Sequence, residues 1–224
     1  MALIMGILNL SPESFWKPGN GDLNLINAPV DILDIGAIST HPGADPVGAR
    51  EEWRRLKPAL EALPEGKLFS VDTVRSSIVR KVFKLCGPFV VNDISAGEDD
   101  PLMLETVAEL GLTYIAMHKR GTPKTMDSLC DYPDGVMAEL LRYFREFSRK
   151  AEAAGVRDWI LDPGLGFAKT EEQNWEILEN LEQLKVFGRP VLIGASNKRF
   201  TRGNSEKANR LALEHGADIL RVHI

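Results

Sequence analysis

Five apolar runs in this sequence end in polar or charged residues: Ile32-Leu33-Asp34, Phe69-Ser70-Val71-Asp72, Val90-Val91-Asn92-Asp93, Trp159-Ile160-Leu161-Asp162 and Leu220-Arg221-Val222-His223. An ionised aspartate only accepts hydrogen bonds, whereas an asparagine accepts and donates. Asp34, Asp72, Asn92 and Asp162 could therefore hold either a divalent cation or the N–H edge of a flat nitrogen heterocycle. The heterocycle is favoured. The acids are spread over distant segments among aliphatic residues, while a magnesium site usually relies on few carboxylates plus waters and substrate phosphates. Taken singly, each aspartate could instead cap the helix after it, Asp72 ahead of Val74 above all.

A second set is cationic. Lys198, Arg221 and His223 suit a phosphorylated group, and Arg221 and His223, two apart in a strand, leave it on the same side. Asn9, at the end of the first apolar run, becomes their neighbour if the strands close into a ring. Gly194-Ala195-Ser196 adds small residues and a hydroxyl where backbone N–H groups could receive an anion. The cations are expected on the arc opposite the acids. His118, taken alone, reads as a core histidine. Cys86 and Cys130 have no CxxC spacing, so both are expected as reduced thiols without a role.

These residues need elements to position them. Strand patterns cover Ala2 to Leu8, Asp31 to Gly36, Lys67 to Val71, Phe89 to Asn92, Thr113 to His118, Asp158 to Leu161, Pro190 to Ile193 and Asp218 to Val222. Helical periodicity covers Val47 to Leu63, Val74 to Leu85, Pro101 to Leu110, Gly135 to Ala154, Glu171 to Val186 and Glu206 to Glu214. Eight strands alternating with helices predict an α/β fold, a (β/α)8 TIM barrel whose strand C-termini and following loops form the site. Asp99 and Asp100 before Pro101, and Thr170 with Gln173, read as helix starts; Gly111, Gly155, Gly188 and Gly216 read as stops. The stretch Asp22 to Ala28 leaves at most two turns for a shortened first helix, and no residues follow the last strand to make an eighth. Leu220 and Val222 then form an outward apolar stripe. The gap beside the first and eighth strands is expected to be a homo-oligomer interface.

The 224 residues, 44% hydrophobic, can bury one large core, so residues 1–224 are expected to form a single domain. With 27 Lys and Arg against 32 Asp and Glu, the net charge of -5 suggests neither nucleic acid nor membrane as partner. No apolar run approaches the roughly 20 residues that span a bilayer, and Met1 to Leu8 lacks signal-peptide features; the expected location is cytoplasmic.

Seven motifs in order now carry a resemblance: Met5-Gly6-Ile7-Leu8-Asn9 with Ser11-Pro12-Glu13-Ser14-Phe15; Asp34-Ile35-Gly36 with Ser39-Thr40; Ser70-Val71-Asp72-Thr73; Asn92-Asp93-Ile94-Ser95; Met117-His118 with Gly121-Thr122-Pro123; Asp162-Pro163-Gly164-Leu165-Gly166-Phe167; and Arg221-Val222-His223. Together they resemble the dihydropteroate synthase family. The resemblance implies a folate-pathway transferase that joins 4-aminobenzoate to a hydroxymethyl-dihydropterin diphosphate and releases pyrophosphate with magnesium. It implies that Asp72, Asn92, Asp162 and Lys198 hold the pterin and that Asp34 lies near the reacting methylene. Asn9, Arg221 and His223 would take the diphosphate, Asn9 also meeting magnesium, with Thr40 at the phosphates. Phe167 and Ser196 would flank the aminobenzoate. Asp34, Lys198, Arg221 and His223 are the implied catalytic set. Loops Asn9 to Gly21 and Ala37 to Val47 would close over the site, with Trp16 a lid aromatic.

Two motifs depart from the family pattern, and in the first a loop arginine has become His41. Its Gly-Glu-Ser-Thr-Arg-Pro-Gly loop is here Ala37-Ile38-Ser39-Thr40-His41-Pro42-Gly43, and its Ser-Arg-Lys is Ser196-Asn197-Lys198. The second change removes a guanidinium near the aminobenzoate, for which Arg199 is a displaced substitute. A diverged pterin-binding paralogue and a pterin-dependent methyltransferase domain are the alternatives; a methyl donor needs no diphosphate site of Asn9, Arg221 and His223.

Overall fold

Alternation along the strands sorts side chains onto two faces, and closing the sheet turns one face inward. The computed structural model describes residues 2–11, 23–38, 47–122 and 125–224. Its strands are β1 (Leu3–Asn9), β2 (Ile32–Gly36), β3 (Phe69–Asp72), β4 (Val90–Asp93), β5 (Thr113–Met117), β6 (Trp159–Asp162), β7 (Leu192–Ile193) and β8 (Ile219–His223). All pair in parallel, each with its sequence neighbour from β1 to β6, and β8 lies between β1 and β7. The last seam is a bridge between Leu161 and Val191, where the Leu161 N–H donates to the Pro190 carbonyl at 2.9 Å. Pro190 brings no N–H to this seam, and β7 is correspondingly short. The expected barrel is observed, with strand ends moved by one or two residues.

The helices are α1 (Ala49–Glu61), α2 (Ser76–Cys86), α3 (Met103–Leu110), α4 (Val136–Ala154), α5 (Glu171–Glu179) and α6 (Ser205–Glu214). Between β1 and β2 the described residues hold a 3-10 turn, Leu23–Asn27, in keeping with the scant sequence there. Outward strand residues such as Leu33, Ile35, Val71, Val91, Leu161 and Ile193 pack with Leu56, Val79, Val107, Leu140, Phe144 and Ile177 of the helices. Inside the ring a separate apolar floor is made by Met5, Ile32, Ile115, Ile160, Leu192 and Ile219, with Val90 against it. Each such buried side chain contributes about 1.5–3 kcal/mol. The floor fills the lower barrel, so polar inward residues can collect only at its mouth.

Three expectations need correction. Glu171 to Val186 is not one helix: α5 stops at Asn180, whose amide donates to the Glu176 carbonyl at 2.9 Å, and a 3-10 segment, Leu181–Phe187, follows. Asparagine favours such local bonds over helix continuation. Asp100 does more than start its own helix. Its carboxylate accepts the Leu102 N–H at 3.0 Å and also the Ser76 N–H of α2 at 2.7 Å, a cap supplied from the next loop. Third, the outward stripe on β8 is partly covered, since Leu220 is buried and Ile224 packs against the position of Gly6. Thr170 and Gln173 do form a reciprocal capping box. No helix among the described residues is long and apolar enough to cross a membrane.

Candidate active site

Above the floor, the inward polar positions toward the strand C-termini include Asp34 (β2), Ser70 and Asp72 (β3), Asn92 (β4), Asp162 (β6) and Arg221 (β8). Register makes Asp34 the direct neighbour of Ser70, and Asp72 that of Asn92. Asp34 has no solvent exposure. It accepts hydrogen bonds from the Ser70 hydroxyl, from Asn92 Nδ2 at 3.2 and 3.3 Å, and from Arg221 Nε at 2.7 Å. Arg221 Nη2 also donates to Asp72 Oδ2 at 3.2 Å. A buried carboxylate is tolerated only when so thoroughly paired.

The expected separation of acids from cations is therefore wrong for Arg221. Only β1 lies between β8 and β2, and its inward residue beside Arg221 is Met5, so the guanidinium reaches across to the acids. Burial works to lower the Arg221 pKa, but Asp34 and Asp72 outweigh it and the group is held above its ordinary value. Burial pushes the Asp72 carboxyl up, against the pull of Arg221 and with the repulsion of Asp34. Asp72 makes no bond to the start of α2, where Asp100 stands instead, so the capping alternative fails for it.

Asp162 Oδ1 accepts the Gly164 N–H at 2.8 Å, and among the described residues Oδ2 has no protein donor. Burial raises its pKa. Across the mouth, the Lys198 ammonium stands 4.4 Å from the centre of the Phe167 ring, a cation–π contact. Burial and then Arg221 bring Lys198 down to about 8. The turn between Asp162 and Phe167 has one shape available to it: Gly164 is at φ +69°, and a Cβ there would lie 2.0 Å from the His118 carbonyl oxygen.

At the outer rim, His223 Nδ1 lies 3.0 Å from the Ser196 hydroxyl. Arg221 and His223 leave β8 on one side as expected, but Arg221 turns down to the acids and His223 stays exposed with Ser196. Asn9 Oδ1 accepts the Ser11 N–H at 3.0 Å, and an amide oxygen has a second lone pair. Among the described residues no three His, Cys, Asp or Glu side chains converge as a metal cage. An amide oxygen with a free lone pair is a suitable single protein ligand for magnesium that takes its other oxygens from phosphate and water.

Thr40, His41, Trp16 and the greater part of both expected closing loops lie outside the described residues. Asn197 is exposed, adopts φ +58° and donates its N–H to Ser205 Oγ at 3.0 Å. Arg199 does not replace the missing guanidinium, because it is engaged with Asp127 at 2.8 and 3.0 Å on the surface. Sequence reasoning overlooked Ser70, although its inward parity with Asp72 would have indicated it. It also overlooked Lys169, which meets His118 behind the Gly164–Phe167 turn. Only contact between the segments that follow the adjacent strands β5 and β6 shows that pair.

A profile of the family described as pterin binding enzyme matches residues 5–223. A folic acid synthesis protein of Pneumocystis carinii is 38% identical over 98% of the chain, which spans 34% of that longer protein. The dihydropteroate synthase of Synechocystis is 37% identical, covering 98% of this chain and 84% of that one. In structure, the Xanthomonas albilineans dihydropteroate synthase, solved with 4-aminobenzoic acid, superimposes with a TM-score of 0.85 at 34% identity, covering 99% of this chain and 87% of that one. With the barrel, the acid-lined mouth and these likenesses in hand, the chain belongs to the dihydropteroate synthase family of pterin-binding enzymes.

Proposed function

We propose that this chain condenses a hydroxymethyl-dihydropterin diphosphate with 4-aminobenzoate, giving dihydropteroate and pyrophosphate. One observation carries the reading: Asp162, with an unused carboxylate oxygen, and the Asn92–Asp34–Arg221–Asp72 network share one mouth with Lys198. Ligand-bound relatives such as the Xanthomonas enzyme with 4-aminobenzoic acid support the second substrate.

Asp162 accepts N–H bonds from the aminopyrimidine edge, and Lys198 donates to the ring. Asp72 and Asn92 complete the slot, and Asp34 lies beneath the reacting methylene. The methylene–oxygen bond breaks with its electron pair leaving on the diphosphate, while the electron-rich pterin stabilises the cation. Arg221 Nη1, which has no protein partner among the described residues, and His223 receive the diphosphate charge, with Thr40 at the phosphates. Magnesium, held by Asn9 and the phosphate oxygens, would neutralise the leaving group. The arylamine, flanked by Phe167 and Ser196, attacks the carbon and loses a proton.

Two further features belong to the proposal. Cytoplasmic residence agrees with the free thiols of Cys86 and Cys130. Self-association beside β1 and β8 agrees with the exposed Leu23 of the short 3-10 segment that precedes β2. The test of the reaction is pyrophosphate release from purified chain, magnesium, pterin diphosphate and 4-aminobenzoate. Tight pterin binding without turnover would point to a diverged paralogue, and transfer from a methylated folate to a methyltransferase.

A further inference from the structure

Behind the Gly164–Phe167 turn lies a buried ammonium. Lys169 is 8% exposed, and its Nζ is 3.0 Å from each of three acceptors: the Gly164 carbonyl, the Phe167 carbonyl and His118 Nδ1. Three N–H groups meet three acceptors, so the imidazole presents its lone pair at Nδ1 and carries its proton at Nε2, toward Glu139 3.8 Å away. Burial, together with Lys169 and Arg120, holds His118 well below its ordinary pKa, in keeping with a neutral ring. Among the described residues no carboxylate lies within bonding distance of the ammonium. A neutral side chain of equal length would fill this space at less cost, because an unpaired buried charge is unfavourable.

The cation joins two carbonyls at either end of the turn. Gly166 N–H is held by Asn174 Oδ1 at 2.7 Å and the Ala168 carbonyl by the Tyr132 hydroxyl at 2.7 Å; the Gly164 carbonyl accepts the Phe167 N–H at 3.1 Å as well as Lys169, and Lys169 ties it to the Phe167 carbonyl. The front of the same turn carries the Phe167 ring against Lys198. We infer that Lys169, seated on His118, is a positioning residue: it fixes the Gly164–Phe167 turn so that Phe167 and Lys198 form a ready-made seat for the arylamine. The inference rests on the proposed reaction for the identity of that substrate.

The test compares the full chain with Lys169→Met, His118→Leu and His118→Gln, the last keeping an acceptor for the ammonium. Lys169→Met is expected to raise KM for 4-aminobenzoate on the order of tenfold or more while KM for the pterin diphosphate changes less than about threefold. His118→Leu should follow in the same direction, and His118→Gln should recover most of the loss. Amide hydrogen exchange is expected to speed up at 164–168 in Lys169→Met and to stay unchanged in the barrel strands. Constants within twofold of the parent chain would overturn the inference, as would equal losses for both substrates with faster exchange throughout. If the parent chain releases no pyrophosphate, the proposed reaction falls instead. The exchange measurement then decides alone: local acceleration at 164–168 supports the positioning role, and none overturns it.

Discussion

Arg221 Nε lies 2.7 Å from Asp34 Oδ2, joining the last strand of the barrel to the second across 187 residues of sequence. The same guanidinium reaches Asp72 with Nη2 and leaves Nη1 without a protein partner among the described residues. One cation thus satisfies the buried acids on one side and can meet an anion on the other. Planarity and several fixed donors make this possible for arginine and not for lysine.

Arg221→Ala should therefore have two separable consequences. Asp34 would be left buried without its cation. Breaking a buried pair costs about 3–5 kcal/mol, and the 24% exposure of the Arg221 side chain reduces that to about 2–3 kcal/mol of unfolding free energy. Calorimetric titration should also show binding of a pterin diphosphate falling far more than binding of the bare pterin, since the lost Nη1 faces the phosphates. Equal losses for the two ligands would contradict that placement.

Asp162→Asn isolates the ring contact. The asparagine oxygen can still accept the Gly164 N–H, so the turn should persist and thermal unfolding should shift little. Oδ2, however, becomes a donor facing the N–H edge of the pterin. A lost charged hydrogen bond is worth about 1.5–3 kcal/mol, which corresponds to a weakening of roughly ten- to hundredfold in a pterin fluorescence titration. Unchanged affinity would remove Asp162 from the pterin slot.

Two glycines with positive φ should respond differently to the same change. At Gly66, φ +76°, an added Cβ meets open space, so Gly66→Ala should cost only the backbone strain, about 1–2 kcal/mol, with activity retained. At Gly164 the methyl collides with the His118 main chain as well, and the turn must move. Activity should then be lost, while far-ultraviolet circular dichroism still reports an intact barrel. A Gly164→Ala chain with normal turnover would show that the turn's shape is dispensable.

The barrel was legible because its two periodicities are local: alternating runs gave all eight strands, and residues two apart shared a face. The acids at the strand ends were legible for the same reason. What alternation could not show was reach. Arg221 looked like part of a separate cationic arc, yet a long side chain crosses β1 to pair with β2 and β3. Lys169 escaped notice because its role depends on a histidine 51 positions away and on main-chain carbonyls whose direction follows from two left-handed glycines. The break of α5 at Asn180 was missed since apolar spacing continues through it; the side-chain bond to Glu176 decides the matter.

The charge on Lys169 should be visible in stability as well as in kinetics. Burial lowers its pKa from 10.5 to about 7, with Asp162 and Cys130 opposing the shift and Lys198 and Arg120 adding to it. The unfolded chain therefore binds the extra proton between those two values. For a depressed pKa the stabilising contribution is complete above 10.5 and disappears as the pH falls through about 7. At about 1.36 kcal/mol per unit the full swing is on the order of 5 kcal/mol, with relaxation and entering water reducing it. Urea unfolding of the parent chain and of Lys169→Met at pH 6, 7.5 and 9 should show the variant at its greatest relative advantage at pH 6, with the gap narrowing toward pH 9. A gap that stays constant across this series would mean that the three acceptors around the ammonium offset its desolvation and keep its pKa near the ordinary value.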